Sequence, residues 1–128
     1  TVVWTMQNNL HSNRGGMKKV HDVLAKLLAS PKAMENADRR PADFENMKFF
    51  TATGCDTCNG LGYKGRIGVY EIFTMNPDIE KVILSGEVSE YTMEDIAVQQ
   101  GMVTMAQDGI IKALDGVTSL EEVFRVAE

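Results

Sequence analysis

Apolar residues recur at helical spacing along most of this chain, and the recurrences are separated by short turn signals rather than by long polar stretches. Val20, Val23, Leu24, Leu27 and Leu28 fall three and four apart between Met17 and Ala29 with lysines between them, which predicts an amphipathic helix ended by Ser30-Pro31. Residues 32–46 are charged and poor in large apolar side chains, and Pro41 interrupts any continuous helix. They read as a linker with a helical turn near Asp43 to Asn46.

The second half is punctuated helix by helix. Asn76-Pro77 is an N-cap followed by a first-turn proline, Ile79, Val82 and Ile83 make a stripe, and Ser85-Gly86 stops it. Thr92 with Asp95 predicts the cap of a second helix that carries Ile96 and Ala97 and ends at Gly101. Met102, Met105, Ala106, Gly109, Ile110, Ala113 and Leu114 share one helical face, closed by Asp115-Gly116. Ser119 with Glu122 caps a last helix lined by Leu120, Val123, Phe124 and Ala127. Such narrow stripes cannot be buried one helix at a time, so the four helices must pack together, with Ile110, Leu114 and Phe124 expected at the contact.

Two stretches change the period from helix to strand. Met47 to Thr51 is a short aromatic run, and Arg66 to Phe73 alternates, with Ile67, Val69, Glu71 and Phe73 on one side and Arg66, Gly68, Tyr70 and Ile72 on the other. Between them lies a turn rich in glycine that holds both cysteines. A cysteine-bearing β-hairpin is therefore expected at the centre of the chain. Thr1 to Thr5 also has strand chemistry, followed by loop residues through Gly16.

Composition adds limits. The 128 residues, 44% apolar and 24% charged, are one domain's worth of ordinary globular chain. No apolar run reaches the roughly 20 residues that span a bilayer, and no basic-then-apolar leader opens the sequence, so a cytoplasmic location without membrane insertion is expected. Residues 1–66 hold ten Lys/Arg against six Asp/Glu, and 67–128 hold three against twelve. An acidic second half argues against nucleic acid as partner, because phosphate binding runs on Lys/Arg. It reads as a solvated face or as a docking surface for something basic.

Candidate chemistry is concentrated at Cys55-Asp56-Thr57-Cys58. C-x-x-C is the spacing at which two thiolates on one turn hold a soft cation or close as a disulfide. Thioredoxin-like catalysis is not indicated, since Asn59-Gly60-Leu61-Gly62 is a poor helix start. A structural zinc needs four ligands, and the chain has two cysteines plus His11 and His21, one in a loop and one on a helix. No G-x-x-x-x-G-K-[ST] is present, so the chain alone is not expected to be an ATPase. Arg66 reads as a partner for carboxylates such as Glu71 or, less simply, as a residue acting on a neighbour's nucleotide.

The order G-C-x-x-C-N-G-x-G-Y-x-G-R-x-G-V-Y-E from Gly54 to Glu71 resembles the cysteine-motif segment of the motor ATPases of bacterial type II secretion and type IV pilus assembly. The resemblance continues through Gly101 to Gly109 and Gly116 to Val123 and runs from Lys48 to Glu128. Upstream, Trp4-Thr5-Met6-Gln7-Asn8-Asn9 resembles the family's strand followed by Ser-Thr-Leu-His-Thr-Asn, with Gln7 where the histidine should be. The resemblance implies the C-terminal region of a hexameric motor that contacts neighbouring subunits and an inner-membrane platform protein, with ATP and magnesium bound elsewhere in the parent protein. It also implies a second C-x-x-C upstream completing a zinc site. Here that pair is absent, which leaves Cys55 and Cys58 as a half-site and no cofactor expected in this chain.

Two further readings stand beside this one: a free-standing adaptor that kept the fold without the motor, and a fragment of a DnaJ-type zinc knuckle, whose repeat is C-x-x-C-x-G-x-G. The sequence thus predicts an α+β fold. A cysteine-bearing β-hairpin packs on four short C-terminal helices, preceded by one N-terminal amphipathic helix, with residues 1–46 forming the helix and linker and 47–128 the hairpin and helical domain.

Overall fold

The computed structural model describes residues 4–6, 14–45, 47–86 and 88–127. The loop expected before Arg14 (with His11), the start of the first strand, Asn46 and Glu87 lie outside them. Among the described residues six α-helices dominate: α1 (Arg14–Leu28), α2 (Pro31–Asn36), α3 (Pro77–Ser85), α4 (Glu90–Gln99), α5 (Met105–Leu114) and α6 (Leu120–Val126). The sheet is small. Strand β1 (Trp4–Met6) pairs antiparallel with β2 (Phe50–Ala52), with Trp4 opposite Ala52 and Met6 opposite Phe50.

Helix α1 forms where its apolar stripe predicts, and Val20, Leu24 and Leu27 are its buried side chains. The stretch expected to be a linker is different. Ser30 ends α1 and also caps α2, its Oγ accepting from the Ala33 N–H at 3.2 Å while Pro31 occupies the first helical turn. Ala33 and Met34 of α2, and Phe44 in a 3-10 turn at Pro41–Phe44, all enter the core. A Ser-Pro pair that terminates one helix can start the next, and three buried side chains suffice to fold the segment down.

Helices α3 and α6 start at the predicted caps, Asn76 and Ser119. Helix α4 begins earlier than expected because Ser89, not Thr92, is the N-cap, its side chain accepting from the Thr92 N–H. Helix α5 begins later, at Met105, because Thr104 and Gln107 form a capping box. This start turns the buried face toward Gln107, Gly109, Ile110, Ile111 and Ala113 and leaves Met105 exposed. Ile110 is fully buried as expected, whereas Leu114 and Phe124 only border the core.

That core joins α1, α2, α5 and α6 through Val20, Leu24, Leu27, Met34, Ile110, Ile111 and Val123. Burying one such side chain is worth about 1.5–3 kcal/mol. Helices α3 and α4 pack mainly on each other and contribute only Ile79 and Ala97 as buried residues.

The expected hairpin is corrected. Arg66 to Phe73 is extended but carries no strand assignment, and β2 pairs with β1 instead. The reason lies in where the backbone of 66–73 is anchored. The Tyr70 N–H donates to Asp108 Oδ2 at 3.0 Å, the Lys112 ammonium donates to the Gly68 carbonyl at 2.9 Å, and Glu71 Oε1 accepts from the Met105 N–H at 2.8 Å. Asp108 and Lys112 of α5 thus take two of the backbone bonds that a partner strand would have used, and the Glu71 carboxylate satisfies a free N–H in the first turn of the same helix. The segment is a strap along α5.

Three substitutions measure this packing. Ile110→Ala should cost about 2–5 kcal/mol in urea unfolding, while Leu84→Ala, at a residue 85% exposed, should stay within about 0.5 kcal/mol. Gly109→Ala gains up to about 1 kcal/mol of helix propensity, yet its Cβ would lie 2.6 Å from Val123 Cγ1. A buried β-branched side chain has little room to yield, so the variant should be net destabilised, as overpacked cores are.

Candidate functional site

The two cysteines sit on one tight turn built from local bonds. Cys55 is extended, Asp56–Cys58 forms a single 3-10 turn, and Asn59 adopts the left-handed conformation at φ 52°. The Cys55 carbonyl accepts from the N–H groups of Cys58 (3.2 Å) and Gly60 (3.0 Å). Two glycines are required here. A Cβ at Gly54 would stand 2.2 Å from the Gly60 carbonyl oxygen, and Gly62, at φ 80°, would put one 2.6 Å from Ala52 Cβ.

Chemically the turn is a cradle for one sulfur. Cys58 Sγ accepts from the N–H of Cys55 and the N–H of Gly62, each at 3.1 Å, and lies 3.5 Å from Cys55 Sγ. Cys58 is buried, Cys55 is half-buried, and both thiols are free. The Cys55 N–H beside the sulfur lowers the Cys58 thiol from 9.0 to about 7; burial opposes the shift, and the N–H groups of Gly62 and Gly60 and the Cys55 thiol add to it. Hydrogen bonds to the charged form favour that form.

Among the described residues, which exclude His11, the structure brings together the predicted pair Cys55 and Cys58 and no other predicted ligand with them. His21 is exposed on α1. Among the described residues no group of three or more His, Cys, Asp or Glu is arranged to hold a metal. Two sulfurs 3.5 Å apart present one edge of a tetrahedron, so the described donor set does not fit a closed four-ligand zinc site.

The turn is fastened to the helices by residues whose role the sequence pattern did not disclose. The Tyr63 hydroxyl is hydrogen-bonded to Ser119 Oγ, the 1% exposed N-cap of α6. Lys112 pairs with Asp108 and lies 5.1 Å from the centre of the Tyr70 ring, locking the strap. Arg66 is exposed, and Glu71 is engaged at α5 rather than with it. A signal was available for one of these, since the spacing of Asp108 and Lys112 is that of a helical ion pair.

The Cys58 cradle predicts a pH dependence. Its folded pKa lies below the roughly 8.5 of a free thiol, so the thiolate's contribution to stability is fully present above that value and is lost as pH falls through about 7. Ultraviolet thiolate absorbance of the native protein should show one group titrating near pH 7, and Cys58→Ser should abolish that titration. The absence of any titration near pH 7 in the unaltered protein would refute the cradle.

Comparison with known proteins places this geometry. The model of the family described as type II/IV secretion system protein matches residues 8–125, beginning well upstream of Lys48. The type IV pilus assembly ATPase PilB of Thermus thermophilus is 34% identical over 93 residues, 73% of this chain and 10% of the relative. PilB of Pseudomonas aeruginosa is 37% identical over 81 residues, 63% of this chain and 14% of the relative. The type II secretion system ATPase E of Vibrio cholerae is 37% identical over 84 residues, 66% of this chain and 16% of the relative. The chain thus spans between a tenth and a sixth of the length of these relatives. It belongs to the type II/IV secretion system protein family.

Proposed function

We propose that this chain is the C-terminal coupling module of a hexameric, ATP-driven motor for type IV pilus assembly or type II protein secretion. Its relatives are named as ATPases of those two systems. The observation that carries the reading is where apolar side chains are left exposed. The strap and its continuation present Ile67, Tyr70, Ile72, Phe73 and Met75, and the end of α3, the turn after it and the start of α4 present Ile83, Leu84, Val88 and Tyr91. Clustered exposed apolar side chains mark an interaction surface. Such a run suits burial against other parts of the parent and against neighbouring subunits.

In this reading the nucleotide and its magnesium belong to the rest of the parent, and zinc is not required. Among the described residues no helix is long and apolar enough to cross a membrane, which accords with a cytoplasmic module reaching the inner membrane through a partner. The exposed carboxylates Glu90, Glu94 and Asp95 of α4 form the face assigned to the platform protein, where complementary charge steers docking.

Capture on the immobilised cytoplasmic domain of the platform protein tests this. The unaltered chain should be retained, and the Glu90→Lys, Glu94→Lys, Asp95→Lys triple variant should be lost more readily as salt rises. Equal capture of both at low and moderate salt removes the acidic face from the interface. Magnesium and ATP should leave the melting temperature of the chain unchanged, and saturable ATP turnover by the chain would overturn the module reading itself.

A further inference from the structure

We propose that Cys55 and Cys58 form a thiol–disulfide exchange site for a low-molecular-weight disulfide, Cys55 being the attacking sulfur and Cys58 the resolving sulfur that closes an intrachain bond. This goes beyond the coupling role and does not depend on it. Three observations carry it. The two sulfurs are already in contact at 3.5 Å. They are unequally placed, with Cys58 only 7% exposed and Cys55 half-buried. Cys55 also lies at an open depression shared with Gly54, Asp56, Asn59 and Gly60, so no bulky apolar side chain bars a small disulfide from it.

The donor set points the same way, because the N–H groups of the turn converge on the Cys55 carbonyl and on Cys58 Sγ, and the described residues bring no third metal ligand to the pair. In the first step the Cys55 thiol passes its proton to Cys58 Sγ, 3.5 Å away, and the resulting Cys55 thiolate attacks one sulfur of the disulfide RSSR. The S–S bond breaks, a Cys55–SR bond forms, and RS⁻ departs and takes that proton from Cys58 Sγ. In the second step the Cys58 thiolate attacks Cys55 Sγ, the Cys55–SR bond breaks and a second RS⁻ leaves, taking up a proton from solvent. Two protein thiols are oxidised, and one RSSR is reduced to two RSH.

Closing the bond brings the sulfurs to about 2.05 Å, which draws Cys58 Sγ off the Gly62 N–H that it now holds at 3.1 Å. Gly62 precedes Tyr63, whose hydroxyl holds the N-cap of α6. Oxidation should therefore be felt at the start of α6.

The probe is glutathione disulfide, added to the purified chain in the presence of a chelator, with intact mass read after acid quenching. The unaltered protein should lose two hydrogens and retain no glutathione, and peptide mapping at early times should place the transient adduct on Cys55. Cys58→Ser should stop at that adduct, Cys55→Ser should react more slowly, and the oxidised protein should exchange its Gly62 amide faster than the reduced one. A stable glutathione adduct on the unaltered protein, an early adduct on Cys58, equal rates for the two variants, or no reaction would each overturn the proposal. The early mapping uses unaltered protein, so the result stands even if a serine variant fails to fold.

Discussion

The absence of a side chain at Gly109 lets α6 approach α5 until Val123 Cγ1 is 2.6 Å from the place a Cβ would take, and the rest of the structure depends on that approach. With α6 against it, α5 is buried along Gly109, Ile110, Ile111 and Ala113, and α1 closes the other side with Val20, Leu24 and Leu27. Polar groups of the same helix then fix everything around it. Gln107 donates to the Val23 carbonyl of α1, Asp115 pairs with Arg39, and Asp108 and Lys112 hold the strap. A short helix in water is marginal. Here α5 is stable because both of its sides are occupied.

The cysteine turn depends little on that core. Its shape follows from amide groups that point at one carbonyl and one sulfur, and from two glycines at points where a Cβ would collide with backbone or with Ala52. Each such bond is individually modest, about 1 kcal/mol net for a typical hydrogen bond and more for one to a charged acceptor. Their convergence on Cys58 is what singles out that sulfur. Tyr63 on Ser119 is the link through which the turn is positioned relative to the helices.

The strap illustrates how an element can have strand chemistry without a strand's partners. Its alternation is sound, but its hydrogen bonds run to Asp108, Lys112 and the Met105 N–H, leaving Ile67, Tyr70, Ile72 and Phe73 exposed. Together with the residues around the α3–α4 turn, it leaves apolar surface outside the core. Such surface suits a family whose named members are several times longer than this chain.

By itself the sequence determined what short-range chemistry controls. The stripe of α1, the Asn76-Pro77 and Ser119 caps, the burial of Ile110 and the two-cysteine turn are all set by residues within a few positions of one another, and so is the motif order that resembles the secretion ATPases. The tertiary structure decided what depends on distant partners. Ser30-Pro31 could not declare that it opens α2 as well as closing α1, because that needs a core for Ala33, Met34 and Phe44 to enter. Arg66 to Phe73 carries the pattern of a strand, yet strands are made by pairing. Here Asp108 and Lys112, about forty residues away on α5, supplied the bonds and turned the segment into a strap.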